Sequence, residues 1–395
     1  MRTPTKILIT SAAGVALTVS AAAPAGAIGI GLGPIVRDPL DLDSTAILGC
    51  LEAAPAHLQS HLLDANIVLG TTGDDDFSGD LTSGPDLICG GAGDDVVDLL
   101  MDDDVFLGQG GNDTVRTNLG TFLGGEGNDT VGLASDFDLP SPVYDRTGNF
   151  GYFEGEGGAD RVSFNGPYLA GPKVIDMSHR ADLGSGDDLV LFNTGAVFGA
   201  GGTDTVGTNH GLFNAGNGDD VVGSNDGVYD AGAGDDTLEN NQLNGTFYGG
   251  AGDDSVENWN LGTFDGGDGG DFVQTNLATF DGGAGDDRVH DNADAVQGAP
   301  GGMFDGGAGT DIVQNNHGMF FGGADIDRVR VTNHGTFEGG DGDDSANDNH
   351  GTFLGQAGND NLADNHDGAL YDGGEGTDLL FGLKNGTVLN VERFF

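Results

Sequence analysis

Seventeen times along this chain an aspartate closes a short glycine-rich run: Asp75, Asp95, Asp113, Asp129, Asp160, Asp188, Asp204, Asp220, Asp236, Asp254, Asp271, Asp287, Asp311, Asp327, Asp344, Asp360 and Asp378. The fullest form reads aromatic, any, Gly, Gly, any, Gly, any, Asp, any, aliphatic, as in FDGGAGDDRV from Phe280 and FDGGAGTDIV from Phe304. Its first and fourth positions are Gly90 and Gly93, Gly124 and Gly127, Gly249 and Gly252, Gly282 and Gly285, Gly306 and Gly309, Gly339 and Gly342, and Gly373 and Gly376. Glycines there let the backbone turn so that carbonyl oxygens converge, and the sixth-position Asp sends a carboxylate to the same point. Carboxylates and carbonyls together are the donors of a hard divalent cation. Calcium takes six to eight such oxygens at about 2.3 to 2.6 Å, and ions between consecutive loops could number up to about 16.

The charge balance points the same way. The formal net charge is −51, which makes nucleic acid and anionic membrane surfaces poor partners. A compact chain carrying that charge repels itself unless a cation neutralises it. Glycine supplies 76 of 395 residues, far above the usual share of roughly 7 %. An ordinary globular core is therefore out of reach, and the positioning elements must be repeats.

A period of 16 to 18 residues runs from about Leu69 to the end. Between the Gly-Asp loops lies a second turn, TNLGTF from Thr117, TNHGLF from Thr208, NNHGMF from Asn315 and TNHGTF from Thr332, where Asn-x-Gly signals positive φ. One coil is then a Gly-Asp loop, a short strand centred on an aliphatic residue, an Asn-Gly turn and a short strand centred on an aromatic one. The aromatic column runs through Phe122, Phe153, Phe213, Tyr229, Phe247, Phe264, Phe280, Phe304, Phe320, Phe337, Phe353 and Tyr371. No coil can bury its own apolar pair, so neighbours must stack. The expected fold is all-β, a right-handed parallel β-roll of about 17 coils over residues 69 to 381. Insertions are expected at 132 to 152, 163 to 181 and 291 to 303, the first two carrying Tyr144, Tyr152 and Tyr168 as candidate partner surfaces.

Both ends differ from the repeat. Arg2 and Lys6 precede an apolar stretch from Ile7 to Val19 and an Ala25-Gly26-Ala27 ending, the pattern of a secretory signal peptide over residues 1 to 27. Segment 28 to 68 reads as an N-terminal cap, helical over 42 to 64, and segment 382 to 395 as a strand closing the last coil. Cys50 and Cys89 are what an oxidising compartment permits as one disulfide. The expected product is a soluble, exported monomer with no membrane-inserted segment.

GGAGDDVV from Gly90, GGAGDDSV from Gly249 and GGAGDDRV from Gly282 resemble the glycine-rich nonapeptide of the RTX, or haemolysin-type, calcium-binding family. The resemblance implies a parallel β-roll that is disordered without calcium and folds once exported into it. RTX proteins typically place two nonapeptides in each coil; here the second corner is Asn-x-Gly, so one row of calcium sites is expected. Several loops depart from the motif: Gln109, Glu156, Ala200 and Gln356 replace the second glycine, Leu183 the first and Asp325 the third.

Other readings compete for particular residues. Low-complexity disorder would need no phased Val and Phe columns. His210, His317, His334, His350 and His366 follow the corner Asn, either as solvent-facing turn residues or as imidazole donors for a transition metal. His57 and His61 have helical spacing, but Leu58 stands where a zinc-protease helix needs Glu, so they read as cap surface. The Asn column of Asn118, Asn209, Asn225, Asn276, Asn316, Asn333, Asn349 and Asn365 should satisfy corner backbone by stacked hydrogen bonds. Only about 40 residues lie between the signal peptide and the first loop, too few for a catalytic domain. The expectation is a non-enzymatic extracellular structural or adhesive module with a cell-surface or matrix partner; the alternative is a carbohydrate-active β-helix enzyme using flank carboxylates.

Overall fold

The structure is a computed structural model that describes residues 6–10, 16–20, 65–79, 81–133, 147–166, 179–295 and 301–395, the first two segments as backbone only. Lys6–Thr10 and Ala16–Ser20 pair antiparallel, within the segment read as a signal peptide. The expected helical cover over 42 to 64 lies outside the described residues, as do Cys50, His57, His61, Tyr144 and Tyr168. Among the described residues there is no helix, and so none long and apolar enough to cross a membrane. The chain divides into two compact units, one up to Leu191 and one from Phe192 to Phe395. Each is a parallel β-solenoid, with about 18 turns in all.

In the second unit the aromatic strands begin with Ala196–Gly201 and Leu212–Asn217, and the aliphatic strands with Thr205–Asn209 and Val221–Asn225. Each strand pairs in parallel with its equivalent one coil on, like residue over like: Thr263 with Thr279, Phe264 with Phe280, Asp265 with Asp281 and Gly267 with Gly283. The strands are longer than the sequence suggests, because the aromatic strand continues into the glycine loop, as in Thr279–Ala284. In the first unit the aromatic face is Asn66–Leu69, Asp86–Ala92, Val105–Gly110, Thr121–Glu126, Tyr152–Gly157 and Arg180–Ser185, parallel throughout.

Register makes columns, and the columns are the core. Phe247, Phe264, Phe280, Phe304 and Phe320 are fully buried and stack nearly parallel with centroids 4.5 to 5.0 Å apart. Val256, Val273, Val289, Val313 and Val329 face them from the other strands. Phe77 and Phe106 extend the aromatic column of the first unit beyond the sequence expectation. A second apolar cluster of Leu87, Cys89, Val105 and Leu107 packs in the first unit, and Cys89 there is disulfide-bonded.

The expected insertions are shorter than the sequence bounds. Gly148–Asn149 returns to register on Thr117–Asn118, and Tyr152 heads a strand, with its hydroxyl bonded to Glu154 and Asp182. Tyr152 therefore belongs to the coil and not to a loop surface. Asn165 likewise bridges Asn149. At the C-terminus, residues 382 to 395 add two strands, Thr387–Leu389 on Leu370–Gly376 and Arg393–Phe394 on Leu379–Leu380.

Because each coil leans only on its neighbours, Phe280→Ala should cost about 3–5 kcal/mol and act locally. Hydrogen exchange should quicken in the coils of Phe264 and Phe304 and stay unchanged near Phe353. Uniform loss of protection throughout the second unit would contradict this.

Candidate metal centre

The loop geometry at one coil explains the motif. Gly250 has φ 107° and Gly252 has φ 137°, so the second and fourth positions need the left-handed region that glycine enters freely. At the first position the reason is space, since a Cβ on Gly249 would collide with Asp254 Oδ2 and with the carbonyl oxygen of Gly266 in the next coil. The conformation persists where glycine is missing: Gln109, Glu156, Ala200, Gln356 and Asp325 all hold φ between 70° and 79°. Each costs about 1–2 kcal/mol, which the stacked neighbours offset.

The turn delivers the sixth-position carboxylates to one buried row. In the first unit the backbone N–H of Asp75 donates to Asp95 Oδ1, Asp95 to Asp113, Asp113 to Asp129, Asp129 to Asp160 and Asp160 to Asp188, at 2.6 to 2.8 Å. In the second unit the same ladder runs from Asp204 through Asp220, Asp236, Asp254, Asp271, Asp287, Asp311, Asp327, Asp344 and Asp360 to Asp378, at 2.7 to 2.9 Å. The Asp378 N–H then donates to Glu392 Oε2 at 2.8 Å, so a glutamate ends the row. No motif marks this position, because Glu392 lies outside any Gly-Asp loop.

At fourteen of these aspartates Oδ1 is thus satisfied, and Oδ2 is not. Asp95, Asp113, Asp129, Asp160, Asp220, Asp236, Asp254, Asp271, Asp287, Asp311, Asp327, Asp344, Asp360 and Asp378 are at most 1 % exposed, and the Oδ2 of each is buried without a donor. No Lys, Arg or His is buried among the described residues. Asp86 and Asp104 provide an internal contrast at the other corner. They are equally buried, yet Asp104 accepts from the Asp86 and Met101 N–H groups, one on each oxygen. Asp75, at the start of the row, is half-exposed and its Oδ2 accepts the Thr71 N–H.

An unpaired buried oxygen is costly, and the carboxyls respond. Burial pushes Asp254 up to about 8, against the pull of the Asp236 N–H and with the charges of Asp236, Asp271 and Asp235 adding to the rise. Burial likewise lifts Asp129 and Asp311 to about 8, and Asp113 and Asp271 to about 7. A hard cation suits this donor set: a row of carboxylate oxygens lacking donors, with carbonyl oxygens of the next coil beside several of them. Asp254 Oδ2 with the Gly266 carbonyl, and Asp311 Oδ2 with the Gly322 carbonyl, are the residues that would hold it. Three loops fit less well, since Leu183, Ala215 and Ala231 stand at the first position, fully buried, and put a Cβ where the others leave space. Of these the sequence reading noticed only Leu183.

The fifth position forms a second, exposed ladder of opposite sense. The N–H of Asp253 donates to Asp235 Oδ1, and that of Gly270 to Asp253 Oδ1. At the opposite corner the Asn column is fully buried and bonded from coil to coil, with Asn316 Nδ2 donating to Asn333 Oδ1 at 2.8 Å and to the Thr336 carbonyl at 3.0 Å; Asn118 Oδ1, at the head of the column, is left without a donor. Asn193, Asn241, Asn260 and Asn292 belong to it as well. His317, His334, His350 and His366 stack beside it, whereas His210 pairs with Asp226 and packs on Phe192.

The sign of the pH dependence follows from the raised carboxyls. A group that holds its proton more tightly folded than unfolded favours folding below its unfolded value, and loses that contribution as pH rises through the folded one. In chelator, stability should therefore fall between about pH 5 and pH 8.5, as carboxyls displaced from 3.8 toward 6 to 8 ionise. Urea melts followed by circular dichroism measure this; stability rising over that interval would contradict it. Compared with protein-family models, with curated proteins and with solved structures, the chain finds no match in any of the three.

Proposed function

We propose that this chain is a secreted, right-handed calcium-binding β-roll of the RTX type, and that it serves as a non-enzymatic structural or binding module outside the cell. The observation that carries this reading is the row of buried Asp Oδ2 atoms with no donor and, among the described residues, no buried cationic side chain. Protons can neutralise such a row at low pH. At neutral pH a divalent ion does so better, because it also engages the carbonyl oxygens that glycine leaves uncovered. The signal-peptide pattern and the charge of −51 agree with an aqueous, calcium-containing exterior.

Calcium on this reading is a folding cofactor. Ions that bind the coil and not the unfolded chain stabilise it by mass action, and a preformed site scarcely exists in the unfolded chain. With Leu183, Ala215 and Ala231 filling three of the cradles, about a dozen ions is the expected load instead of 16. Soluble export to a calcium-rich space would give a module that stiffens where it is delivered and stays unfolded where calcium is scarce.

A calcium titration of the chain from chelator, followed by far-UV circular dichroism, should show a cooperative gain of β signal that magnesium does not reproduce, since magnesium demands tighter octahedral geometry and sheds water reluctantly. A spectrum already complete in chelator at neutral pH and unaltered by calcium would refute the reading. Asp254→Asn adds a sharper test. It keeps an oxygen for the Asp236 N–H while removing the buried charge, so it should stabilise the chelated form at pH 8 by on the order of 1–3 kcal/mol. In saturating calcium it should destabilise instead. The same sign in both conditions would count against a cation at that position.

A further inference from the structure

The His corner supplies a donor set of a different kind. In register across two coils, Asp348 lies beside Asp364 and Asn349 beside Asn365. This brings His350 over His366 with ring centroids 3.9 Å apart and planes 14° from parallel, closer than the 5.0 Å of His317 and His334 or the 4.7 Å of His334 and His350. Asp348 sits between the two imidazoles: Oδ2 is 3.3 Å from His350 Nε2, and Oδ1 is paired with His366 Nε2. One ligand atom from each of Asp348, His350 and His366 lies within 4.8 Å of the others.

From this geometry we propose that Asp348, His350 and His366 form a binding site for one borderline divalent transition metal, of the zinc or cobalt class, separate from the carboxylate row. Two imidazole nitrogens and one carboxylate oxygen are the donors such ions prefer and calcium does not. Three protein ligands leave a further position for water. The backbone beneath is fixed before any ion arrives: Asn349 Nδ2 donates to Asn365 Oδ1 at 3.0 Å, the His366 N–H to the Asn349 carbonyl at 3.0 Å and the His350 N–H to the Asn333 carbonyl at 2.8 Å. The position is particular to this coil, since the residues in register with Asp348 one and two coils earlier are Thr332 and Asn315, which offer no carboxylate beside His334 or His317.

The test uses the full chain without a histidine tag, held in millimolar calcium, titrated with Co²⁺ and read by its visible ligand-field absorption, then back-titrated with Zn²⁺. The expected result is one Co²⁺ per chain, displaced by Zn²⁺, with affinity lowered at least tenfold in Asp348→Asn and in His366→Ala and unchanged in His317→Ala. Far-UV circular dichroism on the same samples should match the unsubstituted chain. Absence of a one-to-one transition in the unsubstituted chain overturns the proposal and leaves Asp348 and His366 as an ordinary ion pair. So does binding that survives Asp348→Asn and His366→Ala but is lost in His317→Ala.

Discussion

A carboxylate removed from water must be given donors, a proton or a metal, and here coils such as those of Asp254 and Asp271 give their aspartate half of what it needs. Oδ1 receives the N–H of the preceding loop, while Oδ2 faces glycine Cα atoms and carbonyl oxygens. The loop's left-handed second and fourth positions aim the carbonyls together, and the missing Cβ at the first position makes room for the carboxylate. The same backbone that stacks perfectly is thus short of positive charge once per coil.

The other columns carry no such debt. From Asn316 to Asn365 the Asn ladder passes its amide hydrogen bonds from coil to coil. Fully burying one Phe or Val yields about 1.5–3 kcal/mol, and each coil supplies roughly one of each. These columns set register and direction; the Asp row sets the condition under which the register is worth adopting. Burial raises the row's carboxyls, and at Asp254 and Asp311 the charges of neighbouring carboxylates raise them further. Neutral columns and a charged row therefore act against each other until the charge is met.

Much of this was legible in the sequence because a parallel solenoid repeats its chemistry at a fixed period. Phe264 over Phe280 and Asp271 over Asp287 follow from spacing alone. What escaped were features that depend on register and not on motif. Glu392 closes the Asp row from outside any Gly-Asp motif. The fifth-position residues, such as Asp235 and Asp253, form a ladder of backbone N–H to side-chain bonds. Ala215 and Ala231 differ from glycine by one carbon, and only the crowding above Gly249 or Gly306 reveals what that carbon occupies. The sequence between 132 and 152 breaks period and so hides Tyr152's place in a coil, although the chain regains register at Gly148.

The most direct test is a crystal structure of the calcium-loaded chain with anomalous scattering recorded at a wavelength where calcium contributes and lighter atoms scarcely do. The account predicts a line of anomalous peaks in each unit, each bound by an Asp Oδ2 and a first-position glycine carbonyl, weak or missing where Leu183, Ala215 and Ala231 stand. Water molecules or protonated carboxyls along the Asp row, with no anomalous peak at Asp254 Oδ2 or Asp311 Oδ2, would contradict it.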